Sequence, residues 1–438
     1  MTRNRHILWK GLALLVLALA GTFFLDYRND QAGPGAPMEE QVTRDEDFYT
    51  ARIIALAIDS STQARAKLIN ESRDPATAPS SAATNPGFSP DNYTRDAHAK
   101  GHGCVLATFT VNKDVGPRYA FGIFKVDPPE RPQQYNALIR FSSGNPDVQS
   151  DSEKDVRGMA IKLLKVHGTK LMATEETDNT QDFVLMNNPV FFIRTIEEYA
   201  EFNRQLVAGH PFWYFLPGLD ILGKNIPYAK IWRWHVRELA IGKSAQKAPP
   251  ASLVTTRFWS GSAYTLGPKQ YVKYSAIPCI ENKPALNIAN SKSPDYLRLE
   301  LAKQSEKGGA CFDFAVQPQV FGKNMPVEDT TVEWKESDSP FVPLARMVIK
   351  PGQNNTEQMN EQCENTAFNP WHSLADHKPV GVMNRVRQPL YLAMSRFRQA
   401  KNCSANCDSK CNHFGYQDNA CQFINEVAKE PAAAPAPN

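Results

Sequence analysis

Three stretches, far apart in the chain, carry side chains able to do chemistry. The first is Arg95-Asp96-Ala97-His98-Ala99-Lys100-Gly101. A histidine at a loop-to-strand junction, beside a glycine, can sit over a planar ligand and move protons near neutral pH. Alone it carries little weight, because most single histidines are surface or core residues and the chain has 9. The second stretch runs from Ile139-Arg140-Phe141-Ser142-Ser143-Gly144 through Asp155-Val156-Arg157-Gly158-Met159-Ala160-Ile161-Lys162 to the segment from Asp182 to Phe192. Apolar and aromatic residues alternate there with Ser, Asn and Arg, the makings of an apolar pocket with a few oriented polar groups. An ordinary β-core, with Phe191 and Phe192 as packing residues, would read the same. The third is Arg387-Gln388-Pro389-Leu390-Tyr391, followed by Arg396 and Arg398. Residues four apart on a helix share a face, so Arg387 can lie against the Tyr391 oxygen. A phenol is protonated near pH 7, but a guanidinium and a ferric iron together favour the phenolate, which makes Tyr391 a credible axial ligand. Pro389 then has to lie in the first turn of its helix.

These residues need a scaffold, and the surrounding text supplies a mixed one. Tyr49 to Asn70 has apolar residues at helical spacing. Short β-like runs follow at Cys104 to Val111, Tyr119 to Val126, Ala137 to Ser142, Met159 to Val166 and Phe183 to Met186, punctuated by Gly, Pro and Asn as in antiparallel sandwiches or barrels. Glu197 to Val207 and Ile226 to Ile241 predict helices. Leu253 to Ile277, Ala310 to Val320 and Phe341 to Ile349 return to strand, and Arg385 to Ala400 predicts a helix. The fold class expected is α+β, one barrel-centred domain with surrounding helices.

The order and wording of these motifs resemble the catalase family. The block His-Ala-Lys-Gly, then Arg-Phe-Ser, Asp-x-Arg-Gly-x-Ala-x-Lys, Asn-Asn-x-x-Phe-Phe and Arg-x-x-x-Tyr appear in family order. Phe258-Trp259-Ser260, Tyr271-Val272-Lys273-Tyr274-Ser275 and Phe368-Asn369-Pro370-Trp371-His372 are similar to the shorter, catalase-related haem peroxidases in particular. The resemblance spans Asp91 to Asn402. It implies an antiparallel β-barrel core with surrounding helices, and haem b bound through a tyrosinate. His98 is then the distal histidine that shuttles a proton between the two peroxide oxygens, promoting O–O cleavage through an oxyferryl intermediate. Ser142 hydrogen-bonds that histidine. Tyr391 is the iron ligand, and Arg387 stabilises its charge. Arg95, Arg140 and Arg398 pair with the haem propionates, while Phe191 and Phe202 line the pocket.

The sequence departs from the family at two points. Aligned without gaps from Asp182 to Arg194, the family's catalytic asparagine falls on Met186, with Asn187 one residue late. Either the loop shifts so that Asn187 takes the role, or the donor is missing, which would favour oxidation of an organic donor over a second peroxide. Ala97 is smaller than the family's usual valine. The chain also lacks a long amino-terminal arm and a carboxy-terminal flavodoxin-like domain. It therefore predicts a minimal core with less interwoven tetramer contact, compatible with a homodimer. The expected activity is consumption of hydrogen peroxide or an organic hydroperoxide with an unidentified electron donor. The alternative is a fatty-acid hydroperoxide isomerase or lyase of the allene-oxide-synthase type, and a haem carrier stands third.

The 438 residues are 42% hydrophobic and 22% charged, a globular profile. A net charge of +3 gives no reason to expect nucleic acid. Arg3, Arg5, His6 and Lys10 precede an apolar run from Gly11 to Leu25, which predicts export by a signal peptide or tethering by a membrane anchor over residues 1–27. Residues 28–48 read as a linker, 49–427 as the domain and 428–438 as a disordered Pro/Ala tail. The 8 cysteines suit an oxidising compartment, and Cys403, Cys407, Cys411 and Cys421 with His413 suggest disulfides ahead of a metal cluster.

Overall fold

The structure is a computed structural model that describes residues 39–73, 92–125, 133–172, 179–221, 224–226, 234–285, 293–352, 360, 363–364 and 366–402. Strands β1 (Gly101–Val111), β2 (Gln134–Ser143), β3 (Arg157–Leu164) and β4 (Thr180–Met186) form a meander, joined by β7 (Phe258–Trp259), β9 (Tyr271–Pro278), β10 (Ala310–Pro318) and β11 (Val342–Ile349). The order is β10-β11-β1-β2-β3-β4-β7-β9, and a further β9–β10 pairing closes the sheet into an antiparallel barrel of eight strands. Closure leaves no free edge in this ring. A short β8 (Tyr264–Thr265) extends β9, and β5 (Leu219–Ile221) pairs with β6 (Lys224–Ile226) in a separate hairpin.

Alternation decides what each strand buries. Ile139 and Phe141 of β2, Met159 and Ile161 of β3, and Phe183 and Leu185 of β4 all point into the barrel core. The rings of Phe183 and Phe314 pack there at 4.8 Å between centroids, with Tyr274 at 4.9 Å from Phe183. The lumen is filled by side chains, as in other small barrels, so a ligand has to sit against the outer wall.

Helices cover that wall. Helix α1 (Glu46–Arg73) buries Ile53 and Ala57 against α2 (Ile196–Val207) and the long α6 (Val382–Asn402). The start of α2 is set by a capping box in which Thr195 accepts from the Glu198 N–H and Glu198 accepts from the Thr195 N–H. Between α2 and the hairpin lies the single-turn α3 (Phe212–Phe215); α4 (Val236–Ala245) and α5 (Tyr296–Lys303) complete the set.

The barrel and helices predicted from sequence are present, and several local expectations are corrected. Residues 119–125 form turns and a 3-10 segment at Gly122–Phe124, not a strand, because the Gly122 and Ile123 N–H groups donate to Asp376 and His377 rather than to a ladder. The strand expected over 253–277 is broken by left-handed Gly261 and Gly267 into β7, β8 and β9. The helix expected from Ile226 starts only at Val236, since Ile226 ends the β5–β6 hairpin. Pro389 lies inside α6 rather than in its first turn, because the helix begins at Val382. One turn before it, the Arg385 guanidinium pairs with Glu40, Glu46 and Glu328 at 2.7–3.1 Å. The same contacts dock the end of the expected 28–48 linker onto the body. The amino-terminal apolar run, the 403–421 cysteines and the Pro/Ala tail lie outside the described residues; among those described, no helix is long and apolar enough to cross a membrane.

Two motif residues prove to be structural. Buried Lys162 donates to both carboxylate oxygens of buried Asp182, at 2.7 and 2.8 Å. Asp182 also accepts from the Asn369 N–H and lies 3.0 Å from the His372 ring, pinning the Asn-Pro-Trp-His loop to the wall. Removing one partner of such a pair leaves the other buried and unpaired. Asp182→Ala is therefore expected to cost about 3–5 kcal/mol in denaturant unfolding, against a cost of at most about 1 kcal/mol for the half-exposed Asp313, which pairs with Arg346.

Candidate functional site

The site is built on one cross-strand row. Ser142 of β2 pairs with Gly158 of β3, which pairs with Met186 of β4. Directly paired residues share a face, so all three point outward from the barrel. The His98 ring lies over this row. A Cβ built on Gly158 would stand 2.6 Å from His98 Cε1 and Nδ1, so only glycine leaves room for the imidazole. His98 Nδ1 is 3.0 Å from Ser142 Oγ. That contact fixes the ring and leaves Nε2 as the nitrogen available to a ligand.

The His98 backbone is held as tightly as its ring. It adopts the left-handed conformation at φ 60°, which costs a non-glycine residue about 1 kcal/mol. Its N–H donates to the Gly144 carbonyl at 3.1 Å, and its own carbonyl accepts from Arg140 Nη2 at 3.1 Å. Burial, with Arg140, Arg387 and Arg95 adding to it, lowers the imidazole to about 3. The ring is thus neutral at pH 7 and able to accept a proton.

Helix α6 brings the third stretch to the same place. Arg387 and Tyr391 are one turn apart, and each feels the other's charge. Arg387 Nη1 donates to Ser262 and Asn384, both at 3.2 Å, which steadies it along the helix. Burial pushes the Tyr391 phenol above its usual range; Arg387 and Arg95 pull it down, and Asp96 pushes it up. The protein's own field therefore favours the protonated phenol at this position. Beside it, Phe191 and Phe192 from the segment before α2, with Tyr199 and Phe202 of α2, form an aromatic wall, the Phe192 and Phe202 rings 5.0 Å apart.

Arg95, Arg140 and Arg398 converge as expected, and they converge on Glu364, which sequence reasoning did not single out. Arg95 Nη1 pairs with Glu364 Oε2, Arg140 Nε with Oε1 at 2.8 Å, and Arg398 Nη1 donates to the Glu364 carbonyl at 3.1 Å. Arg398 Nε is buried with no hydrogen-bond partner. No local motif marks Glu364, because its partners are 34 to 269 residues away.

Asn187 does not reach the His98 face. Its N–H donates to the Arg157 carbonyl at 2.9 Å and its Oδ1 accepts the Arg157 N–H at 2.8 Å, docking it on the neighbouring strand. Period two then leaves Met186, not Asn187, beside the histidine. A second histidine invites comparison: His102 Nε2 is 2.9 Å from Ser143 Oγ, and His102 Nδ1 is 3.6 Å from Asp151 Oδ1. All three are sealed in the interior and Arg157 donates to the serine, so this order of groups meets no substrate and is structural.

Two predictions follow from the packing. Gly158→Ala should cost about 1–3 kcal/mol through the clash with His98, and most of that cost should vanish in a His98→Ala background, which a double-mutant cycle in denaturant measures. His98 and His377 both have imidazoles lowered to about 3 from 6.5. The unfolded chain binds protons that the folded one refuses between those values, so both groups destabilise the fold as pH falls from 6.5 toward 3. In pH-dependent unfolding, His98→Gln should flatten part of that slope.

Comparison with known proteins gives the family and the fold. A family model described as catalase matches residues 93–405. Catalase-A of Dictyostelium discoideum is 27% identical over 303 residues, covering 65% of this chain and 55% of that protein, so the chain spans about half the length of this relative. Among solved structures, Catalase A from Saccharomyces cerevisiae aligns at a TM-score of 0.53 and 20% identity over 79% of this chain and 75% of that one. A bacterial catalase aligns at 0.52 and 18% identity over 75% and 61%. The histidine over its glycine, the tyrosine helix and the arginine cluster thus sit on a shared fold, and the chain belongs to the catalase family.

Proposed function

We propose that the chain is a haem-dependent oxidoreductase that consumes hydrogen peroxide or an organic hydroperoxide, weighted toward oxidation of an organic donor. The observation that carries this reading is His98, neutral, clamped by Ser142 and Arg140, and within electrostatic reach of the Arg387 that also faces Tyr391. The residues fit a haem. Tyr391 offers an oxygen ligand, the phenylalanine and tyrosine rings offer an apolar wall, and three guanidiniums, one with an orphaned Nε, offer a seat for carboxylates.

Haem, when bound through Tyr391, supplies the redox-active iron at which peroxide is reduced. The protein's own part is proton movement and orientation. His98 Nε2 would accept the peroxide proton and return it to the departing oxygen, which would leave as water from hydrogen peroxide or as an alcohol from an organic hydroperoxide, the electrons being the cofactor's. Ser142 holds Nδ1 and keeps Nε2 aimed during both transfers. Arg387 lowers the cost of phenolate on Tyr391. Met186, paired across from the glycine under His98, is on this reading the residue in place of an amide donor for a second peroxide, and a thioether donates no hydrogen bond. Release of oxygen from a second peroxide therefore lacks a donor, while one-electron oxidation of an organic donor does not need it.

Localisation outside the cytoplasm is part of the same proposal. Cys104–Cys363 and Cys279–Cys311 are disulfides, and among the described residues no cysteine is free, which suits an oxidising compartment. The test is the full chain with haem, assayed for oxygen release and for oxidation of a phenolic donor. Donor oxidation should dominate. His98→Ala should lower peroxide consumption by about 10²–10⁴-fold. Met186→Asn should raise oxygen release by about tenfold or more, with haem content unchanged. A protein that takes up no haem, or a His98→Ala variant as active as the wild type, would refute the proposal.

A further inference from the structure

The three arginines assigned to the haem carboxylates already hold a carboxylate. Glu364 presents both side-chain oxygens to Arg95 and Arg140, while its carbonyl takes donors from Arg95 and Arg398. Burial alone would raise this carboxyl; Arg140 and Arg95 overcome it and bring it down to about 2, so it stays ionised at any working pH. The chain makes room for it. A Cβ on Gly101 would lie 2.6 Å from Glu364 Oε1 and 3.2 Å from Arg140 Nη2.

Glu364 is also kept from leaving. The preceding residue, Cys363, is disulfide-bonded to Cys104 of β1, and the Cys104 N–H donates to Asn360 Oδ1 at 3.0 Å, a second tie to the same segment. The side chain nevertheless keeps 26% of its exposure, so it is half-buried rather than sealed. Each guanidinium has a fixed fork of donors. The Arg95 Nη1 and Arg140 Nε hydrogens spent on Glu364 are not free for a second carboxylate in the same plane.

We propose that Glu364 is an internal surrogate for a haem carboxylate: it occupies the seat formed by Arg95, Arg140 and Arg398, and the cofactor has to displace it to bind, with the Cys104–Cys363 bond setting how readily it leaves. This rests on the reading of the three arginines as the carboxylate seat for haem. In the protein without cofactor, Glu364 keeps three like charges together and holds Arg140 on the His98 carbonyl. On loading, its carboxylate and the cofactor's compete for the same donors. Glu364 thereby sets haem affinity and acts as a positioning residue, since it touches neither substrate nor iron.

The experiment titrates ferric haem b, and separately its dimethyl ester, into full-length apoprotein, following the Soret band and tryptophan quenching. Glu364→Gln keeps the shape, removes the competing charge and should bind haem at least about tenfold more tightly, whereas Glu364→Asp should stay near wild type. The ester, which carries no carboxylates, should bind the wild type and Glu364→Gln equally. Cys104→Ser combined with Cys363→Ser releases the tether without touching the arginines; it should also tighten haem binding, and it tests the idea even if Glu364→Gln folds poorly. Equal or weaker haem affinity in a folded Glu364→Gln, or an equal gain with the ester, overturns the proposal. Failure of the wild type to take up haem in any form overturns the haem reading itself, and this inference with it.

Discussion

The side-chain period of a β-strand is the constraint on which the site depends. Ser142, Gly158 and Met186 rise on one face because they are paired in register, and Arg157 and Asn187 lie one residue out of that row. A one-residue slip would exchange the two sets. It would put a buried guanidinium under the histidine and a glycine in the core. The filled lumen fixes that register: Phe141, Met159 and Leu185 cannot leave the core without carrying the whole row with them.

Against this wall the helices supply the other half of the site, held by packing and ion pairs. Helix α6 offers Tyr391 and Arg387 on one face while Leu390, Met394 and Phe397 pack with α1 and α2. The proline inside it weakens the backbone ladder where the functional residues begin. Packing and ion pairs, not helix propensity, hold that turn in place, as is general for helices in proteins.

Much of this was legible in the chain. Alternating runs marked β1 to β4, and Arg-x-x-x-Tyr predicted a shared helical face. His98, Ser142, Arg95, Arg140 and Arg398 were recognisable because family motifs surround them. What was not legible depends on partners distant in sequence. The choice between Met186 and Asn187 turns on strand register, which a linear reading leaves open by one residue. Residues 119–125 have strand-like composition, yet Asp376 and His377, far along the chain, capture their N–H groups. Glu364 sits in no recognisable motif, and only folding brings it among the arginines. Pro389 appeared to demand a helix start, because a sequence window does not reveal that Arg385 binds three carboxylates.

That clasp has a mechanical meaning. Glu40 and Glu46 reach Arg385 from the amino-terminal side, and Glu328 reaches it from the body of the protein. Tension applied to the chain ahead of Glu40 would therefore reach the helix that bears Tyr391 directly, through Arg385, with Glu328 sharing the load. The clasp works as a coupling: whatever moves Glu40 or Glu46 moves the first turn of the helix that carries Arg387 and Tyr391, and Glu328 is the brace against it.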